Sequence, residues 1–322
     1  MSPRSLSPLD HTILQSGRAV VATLPAGDRE FAAYGVARFN GPGEQLVRWT
    51  HGLPHAHTNQ YVVAIGRFSN PPVLADVDGL LLDDRDLEDL QRCRPGDCEV
   101  QLSAAEIRAI RKAIDGAGPR WRAEAQAAFR RLMVERARLY LQSGLAGAPP
   151  YHDHDQPVSP ARELSAVLAR EAVETGGIAP SVGHPISSAG IDTPTEDSFL
   201  YWSKEVFNGA KPIVSIVHGR VIRLAASTGV EALRVETQVY ATHYFSASLT
   251  LIGVSRPGGD GAARHLVYRR RVRGAVFDGA FGGVVRALVA RRIRKDAPAA
   301  IELLRRQIAE ADRSTAATTR RW

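Results

Sequence analysis

The residues best suited to chemistry in this chain are ten histidines, two cysteines and one acid-rich stretch. Two histidine groups carry metal-ligand chemistry. His51, His55 and His57 lie close together, and His152-Asp153-His154-Asp155 is an unbroken run. Neutral imidazole and carboxylate suit zinc or iron. Neither group has the His-Glu-x-x-His spacing that sets two ligands on one helical face. Both fall in expected loops beside Pro and Gly, so no metal and no cofactor is assigned. Asp76, Asp78, Asp83, Asp84, Asp86, Glu88 and Asp89 invite a calcium-loop reading. The pattern Asp76-x-Asp78-Gly79 lacks the later ligands and the closing Glu, which leaves a solvated loop leading into a helix over 84–91. No dinucleotide fingerprint, phosphate loop or nucleophile elbow is present.

The two cysteines stand in Cys93-Arg94-Pro95-Gly96-Asp97-Cys98. Pro followed by Gly fits a type II turn, in which Gly supplies the positive φ. Such a turn brings its flanks within disulfide reach. A local Cys93–Cys98 disulfide, two free thiols, or a redox or metal role are the alternatives. Two thiols are too few for structural zinc without histidines, and a redox pair has shorter spacing. An oxidised pair places the protein in a periplasmic or secreted setting, and reduced thiols place it in the cytoplasm. The N-terminus shows no apolar signal core, and no apolar run is long enough for a membrane-spanning helix.

These side chains need elements to position them. Strands are expected at 18–24, 29–39, 60–68, 99–102, 199–207, 213–224, 233–254 and 265–272, and helices at 44–53, 84–91, 104–114, 121–143, 160–174 and from 281 onward. Ser103 and Glu106 have capping-box spacing. Asp296 and Pro298 predict a kink or split in the last helix. The organising stretch is 211–254, read as two long strands around the turn Ser227-Thr228-Gly229. The second would measure about 70 Å if straight, so it must coil, bulge or break. Its alternation puts Val235, Thr237, Val239, Ala241, His243, Phe245, Ala247, Leu249 and Leu251 on one face, expected to point at the C-terminal helix. Ala241 and Ala247 leave room there for helix packing or for a ligand. His243, the polar aromatic on that face, is either a satisfied core histidine or a cavity residue that binds or polarises a ligand. The face of His218 is not assigned. Trp202 and Lys204 share one face of the preceding strand. A lysine among aromatics could bind an acidic headgroup or snorkel to water.

This element order resembles the helix-grip fold of the START-like and polyketide-cyclase-like superfamily. The likeness covers 29–102 and 198–312 and includes the Phe281-Gly282-Gly283 lead into an amphipathic C-terminal helix. It implies an α+β fold in which a curved antiparallel sheet grips that helix around a cavity. An N-terminal arm over 1–28, one domain over 29–312 with a helical insertion at 103–197, and a frayed tail over 313–322 complete the organisation. The leading expectation is binding or transport of a hydrophobic or amphipathic small molecule such as a lipid. Its contacts would come from His243, Trp202, Val239, Ala241, Phe245, Leu288 and Val289. One alternative is a cyclase, aromatase or hydrolase using His243 or His218 as acid and base. Another is an interaction module presenting an apolar patch on 104–174. The RFSNPP and CRPGDC segments resemble those of uncharacterised bacterial proteins, which brings no activity with it.

Charge narrows the partners. The net charge is +7, but 15 Arg/Lys against 5 Asp/Glu fall after residue 263, and 26 against 29 before it. A basic C-terminal face suits an anionic membrane surface, nucleic acid or an acidic partner, or it is a solvated Arg-rich helix. Sparse aromatic interleaving argues against nucleic acid.

Overall fold

The computed structural model describes residues 7–52, 61–175, 198–207, 209–224, 229–256 and 263–318. The Val-, Ile- and Tyr-rich runs form eight strands: β1 Val20–Leu24, β2 Glu30–Phe39, β3 Val62–Arg67, β4 Ser198–Glu205, β5 Ile213–Arg223, β6 Val230–Ala241, β7 Ala247–Ser255 and β8 Arg264–Arg273. They make one open antiparallel sheet in the order β1-β2-β8-β7-β6-β5-β4-β3. Seven helices accompany it among the described residues: α1 Pro8–Gln15, α2 Glu44–His51, α3 Asp84–Arg92, α4 Ala104–Asp115, α5 Trp121–Ser143, α6 Pro160–Thr175 and α7 Gly279–Thr318. The chain is therefore α+β.

The expected 22-residue strand breaks. Residues 242–246 turn the chain back, and β6 pairs with β7 through Val235↔Leu251 and Thr237↔Leu249. Tyr244 takes the turn's left-handed conformation, φ 65°, which side chains other than Gly adopt only when held. Its hydroxyl accepts the Lys211 backbone N–H at 2.9 Å. A five-residue turn preserves parity, so Val235 and Leu251 still share a face.

The sheet curls strongly. Arg270 on β8 reaches Glu205 on β4 at 3.9 Å, although three strands lie between them. In a flat sheet those strands would be about 19 Å apart. Both side chains point to the concave face, which α2 and α7 cover. The convex face carries α3 to α6, whose Leu90, Ile107, Phe129 and Met133 join Trp202, Leu233, Val235, Leu249 and Leu251 in one buried cluster. The odd-numbered set of β6 and β7 thus faces the insertion and not the C-terminal helix, which corrects the expected orientation. The insertion offers the larger apolar surface, and burial follows area.

Several local signals act as their chemistry requires. Ser103 and Glu106 cap α4 reciprocally at 3.3 and 2.7 Å. Cys93 and Cys98 sit at disulfide distance, with Cα atoms 4.4 Å apart. Between them Asp97 N–H donates to the Arg94 carbonyl at 2.9 Å, and Gly96 has φ +88°. Other expectations give way. Residues 99–102 form no strand. Their backbone instead links the sheet end to the 150s loop, through Gln101 N–H to the Thr242 carbonyl and His152 N–H to the Leu102 carbonyl. The N-terminal arm contributes the Ser7-capped α1 and the edge strand β1. Helix α7 runs through Pro298 without splitting and continues to Thr318.

Candidate functional site

Helix α7 meets the concave face at two anchors. Just before its start Phe277 is buried and stacks on Phe31 and Phe245, with ring centroids 5.9 and 6.3 Å apart. Arg286 donates to the Phe277 carbonyl at 2.7 Å. Farther along, Ile301 sits over Gly35 so closely that a Cβ there would lie 2.9 Å from its Cδ1. Ile308 is buried against Leu46, Val47 and Trp49. Between these anchors no residue of α7 from 283 to 300 is fully buried.

Beneath that span lies a cleft of about 520 Å³. Phe31, Ala33, Tyr268, Val272 and Phe245 form its floor, and Val285, Val289 and Ile293 its roof. The roof residues recur every four positions, the spacing that keeps one helical face toward the sheet. Tyr61, Arg270, Arg292 and Asp296 supply its polar lining. Burial works against the charge of Arg270, but Glu205 and Tyr268 outweigh it and raise the pKa above the ordinary arginine value. Burial raises the Tyr268 phenol as well. The cleft therefore pairs an apolar interior with the arginine of the Arg270–Glu205 ion pair, a geometry and size suited to small amphipathic molecules.

Of the residues expected to line such a cavity, Phe245 and Val289 do so. Leu288 points outward from α7 and is exposed. Trp202 is buried on the convex side, where its Nε1 donates to the Asp76 carbonyl at 2.8 Å. Val239 belongs to the convex core, and Ala241 is buried at the end of β6, outside the cleft. His243 is buried in the hairpin turn. Its Nδ1 meets the Glu99 carbonyl at 2.8 Å and its Nε2 the Asp86 carboxylate at 2.9 Å. It is the satisfied core histidine of the two readings, tying α3 to the turn. The cause of these displacements is the face reversal: the stripe named from the sequence meets the insertion.

His218 resolves to the convex side. Its Nδ1 meets Tyr140 Oη and its Nε2 meets Ser198 Oγ, both at 2.7 Å. Burial, with Arg220 nearby, lowers its pKa to about 4. Of the metal-like groups, His51 lies at the end of α2, while His55 and His57 fall outside the described residues. In the 152–155 run the backbone does the binding, since the His152 and Asp153 carbonyls accept from Gly96 and Cys98. Among the described residues no group of three or more His, Cys, Asp or Glu could hold an ion.

One arrangement escaped the sequence reading. Arg269, Arg271 and Arg273 alternate along β8 onto the convex face and meet glutamates brought by α6 and β2. Arg269 binds Glu171 at 2.6 Å, Arg271 binds Glu174 at 2.7 Å, and Arg273 binds Glu163 at 3.0 Å and Glu30 at 3.1 Å. Part of the C-terminal positive charge is thus internal and neutralised. The alternation of 269, 271 and 273 was the available signal. No protein-family description, curated protein or solved structure matches this chain.

Proposed function

We propose that this protein binds a hydrophobic or amphipathic small molecule, such as a lipid, between its sheet and α7, in the manner of the helix-grip fold it resembles. The observation that carries the reading is the anchored span of α7 over a cleft of about 520 Å³. A helix that packed only for stability would bury its inner stripe. Here Val285, Val289 and Ile293 are only partly buried, and a guest that covers their remaining surface gains about 25 cal/mol for each Å² removed from water. Arg270 would orient a polar or anionic end.

The catalytic alternative has less support. His243 and His218 both have their two ring nitrogens engaged by protein groups. The interaction-module alternative called for an apolar patch over 104–174, yet Val173 is the one large apolar side chain strongly exposed there among the described residues.

Titration with a fluorescent fatty-acyl probe, alongside mass spectrometry of lipid co-purified with the protein, tests the proposal. Wild type is expected to bind the probe. Val289→Trp, which fills the cleft, should weaken binding by about tenfold or more, because overpacking is resisted on both sides. Trp202→Phe, on the far side of the sheet, should bind as wild type does. Equal affinity in wild type and Val289→Trp would overturn the assignment.

A further inference from the structure

We infer that the outer side of the same α7 segment docks on an anionic lipid bilayer. Phe281, Val284 and Leu288 are 79%, 56% and 60% exposed. At about 100° per residue these three fall in one stripe roughly 60° wide. Solvated helix faces carry polar residues, and three large apolar side chains in one stripe mark a contact surface.

Charge identifies what it contacts. Arg291 lies one heptad beyond Val284, and Lys295 one heptad beyond Leu288, so both continue the stripe. From Gly279 to Lys295 the sequence has five Arg/Lys and no Asp or Glu. No carboxylate among the described residues pairs with Arg291, Arg294 or Lys295. The stripe is apolar at its start and cationic about 10 Å farther along the axis, at 1.5 Å per residue. Interfacial helices combine a buried apolar face with Lys and Arg at the level of the anionic headgroups, and this segment supplies both kinds of side chain.

Leu288, Arg291 and Lys295 also border a recess with Tyr61, Arg292 and Asp296, residues that line the cleft as well. If the cleft holds lipid, as proposed above, docking by this stripe sets its mouth at the membrane. The docking inference itself does not require the cleft to be filled.

The test is co-sedimentation of the full chain with vesicles of phosphatidylcholine alone or with added phosphatidylglycerol. Binding is expected on the anionic vesicles, with loss at high salt. Paired Arg291→Gln and Lys295→Gln should weaken it about 25-fold, taking about fivefold per cation. Paired Phe281→Ser and Leu288→Ser should weaken it by at least about tenfold. All four positions are exposed, so thermal unfolding and acyl-probe binding should match wild type, which separates this result from any failure of the cleft reading. Equal binding to neutral and anionic vesicles, or no binding to either, overturns the inference. So does a dimer in sedimentation equilibrium that Leu288→Ser dissolves, because a second copy would then be the occupant.

Discussion

On the convex face four helices press Phe129, Met133, Ile107 and Trp202 into a continuous apolar layer, bordered by the arginine–glutamate ladder of β8 and α6. On the concave face α2 packs at one end, and the α7 segment meets the sheet at Phe277, just before the helix begins, and again at Ile301 and Ile308, with a cleft between. The same strands serve both faces, so the difference comes from what covers them. A solid cover on one side supplies stability, and the other side can then keep space for a guest. Room in a core costs stability in proportion to its volume.

The largest expected contrast is between two side chains. Phe129→Ala, in the convex core, should cost about 3–5 kcal/mol in urea unfolding. Comparable losses from cleft-lining residues would erase the distinction between the faces. Acid should act through the convex face next. Burial holds the His218 pKa at about 4, below the ordinary 6.5. Between those values the unfolded chain binds a proton that the folded chain does not. Stability should therefore fall as pH drops through that window, by roughly 3 kcal/mol from this group. His218→Gln should flatten the slope in unfolding measured across pH. Smaller again is the Cys93–Cys98 link, which pins a six-residue turn against the 150s loop. Replacing both cysteines with Ser should cost about 2 kcal/mol, the loop-closure value for so short a ring. Smallest should be Val289→Ala in the cleft roof, at about 1 kcal/mol, because its side chain is only partly buried against Phe31, Ala33, Val272 and Phe277.

Much of the architecture was legible because its signals are local. The capping box at Ser103 and Glu106, the Pro95-Gly96 turn and the helix over 121–143 each depend on neighbours in sequence. The hairpin break was not legible. Residues 242–246 contain neither Gly nor Pro, and Tyr244 holds its positive φ beside a hydroxyl bond to Lys211, 33 positions away. Which face meets which helix was also hidden, because alternation shows that two faces differ and not what lies opposite each. That is why His243, Trp202, Val239 and Ala241 fall outside the cleft, while Phe245, placed by the turn, falls inside it. The β8 arginines read as surface charge for the same reason: their partner glutamates on α6 come from about 100 positions earlier.

The two-point attachment of α7 bears on how this protein can diverge. A partly buried position contributes less to folding than a fully buried one, so selection on stability constrains it less. Val285, Val289 and Ile293 can then drift in size and polarity while the anchors at Phe277, Ile301 and Ile308 stay fixed. Relatives could accept different guests on one scaffold, and a designer could re-specify the roof without rebuilding the fold.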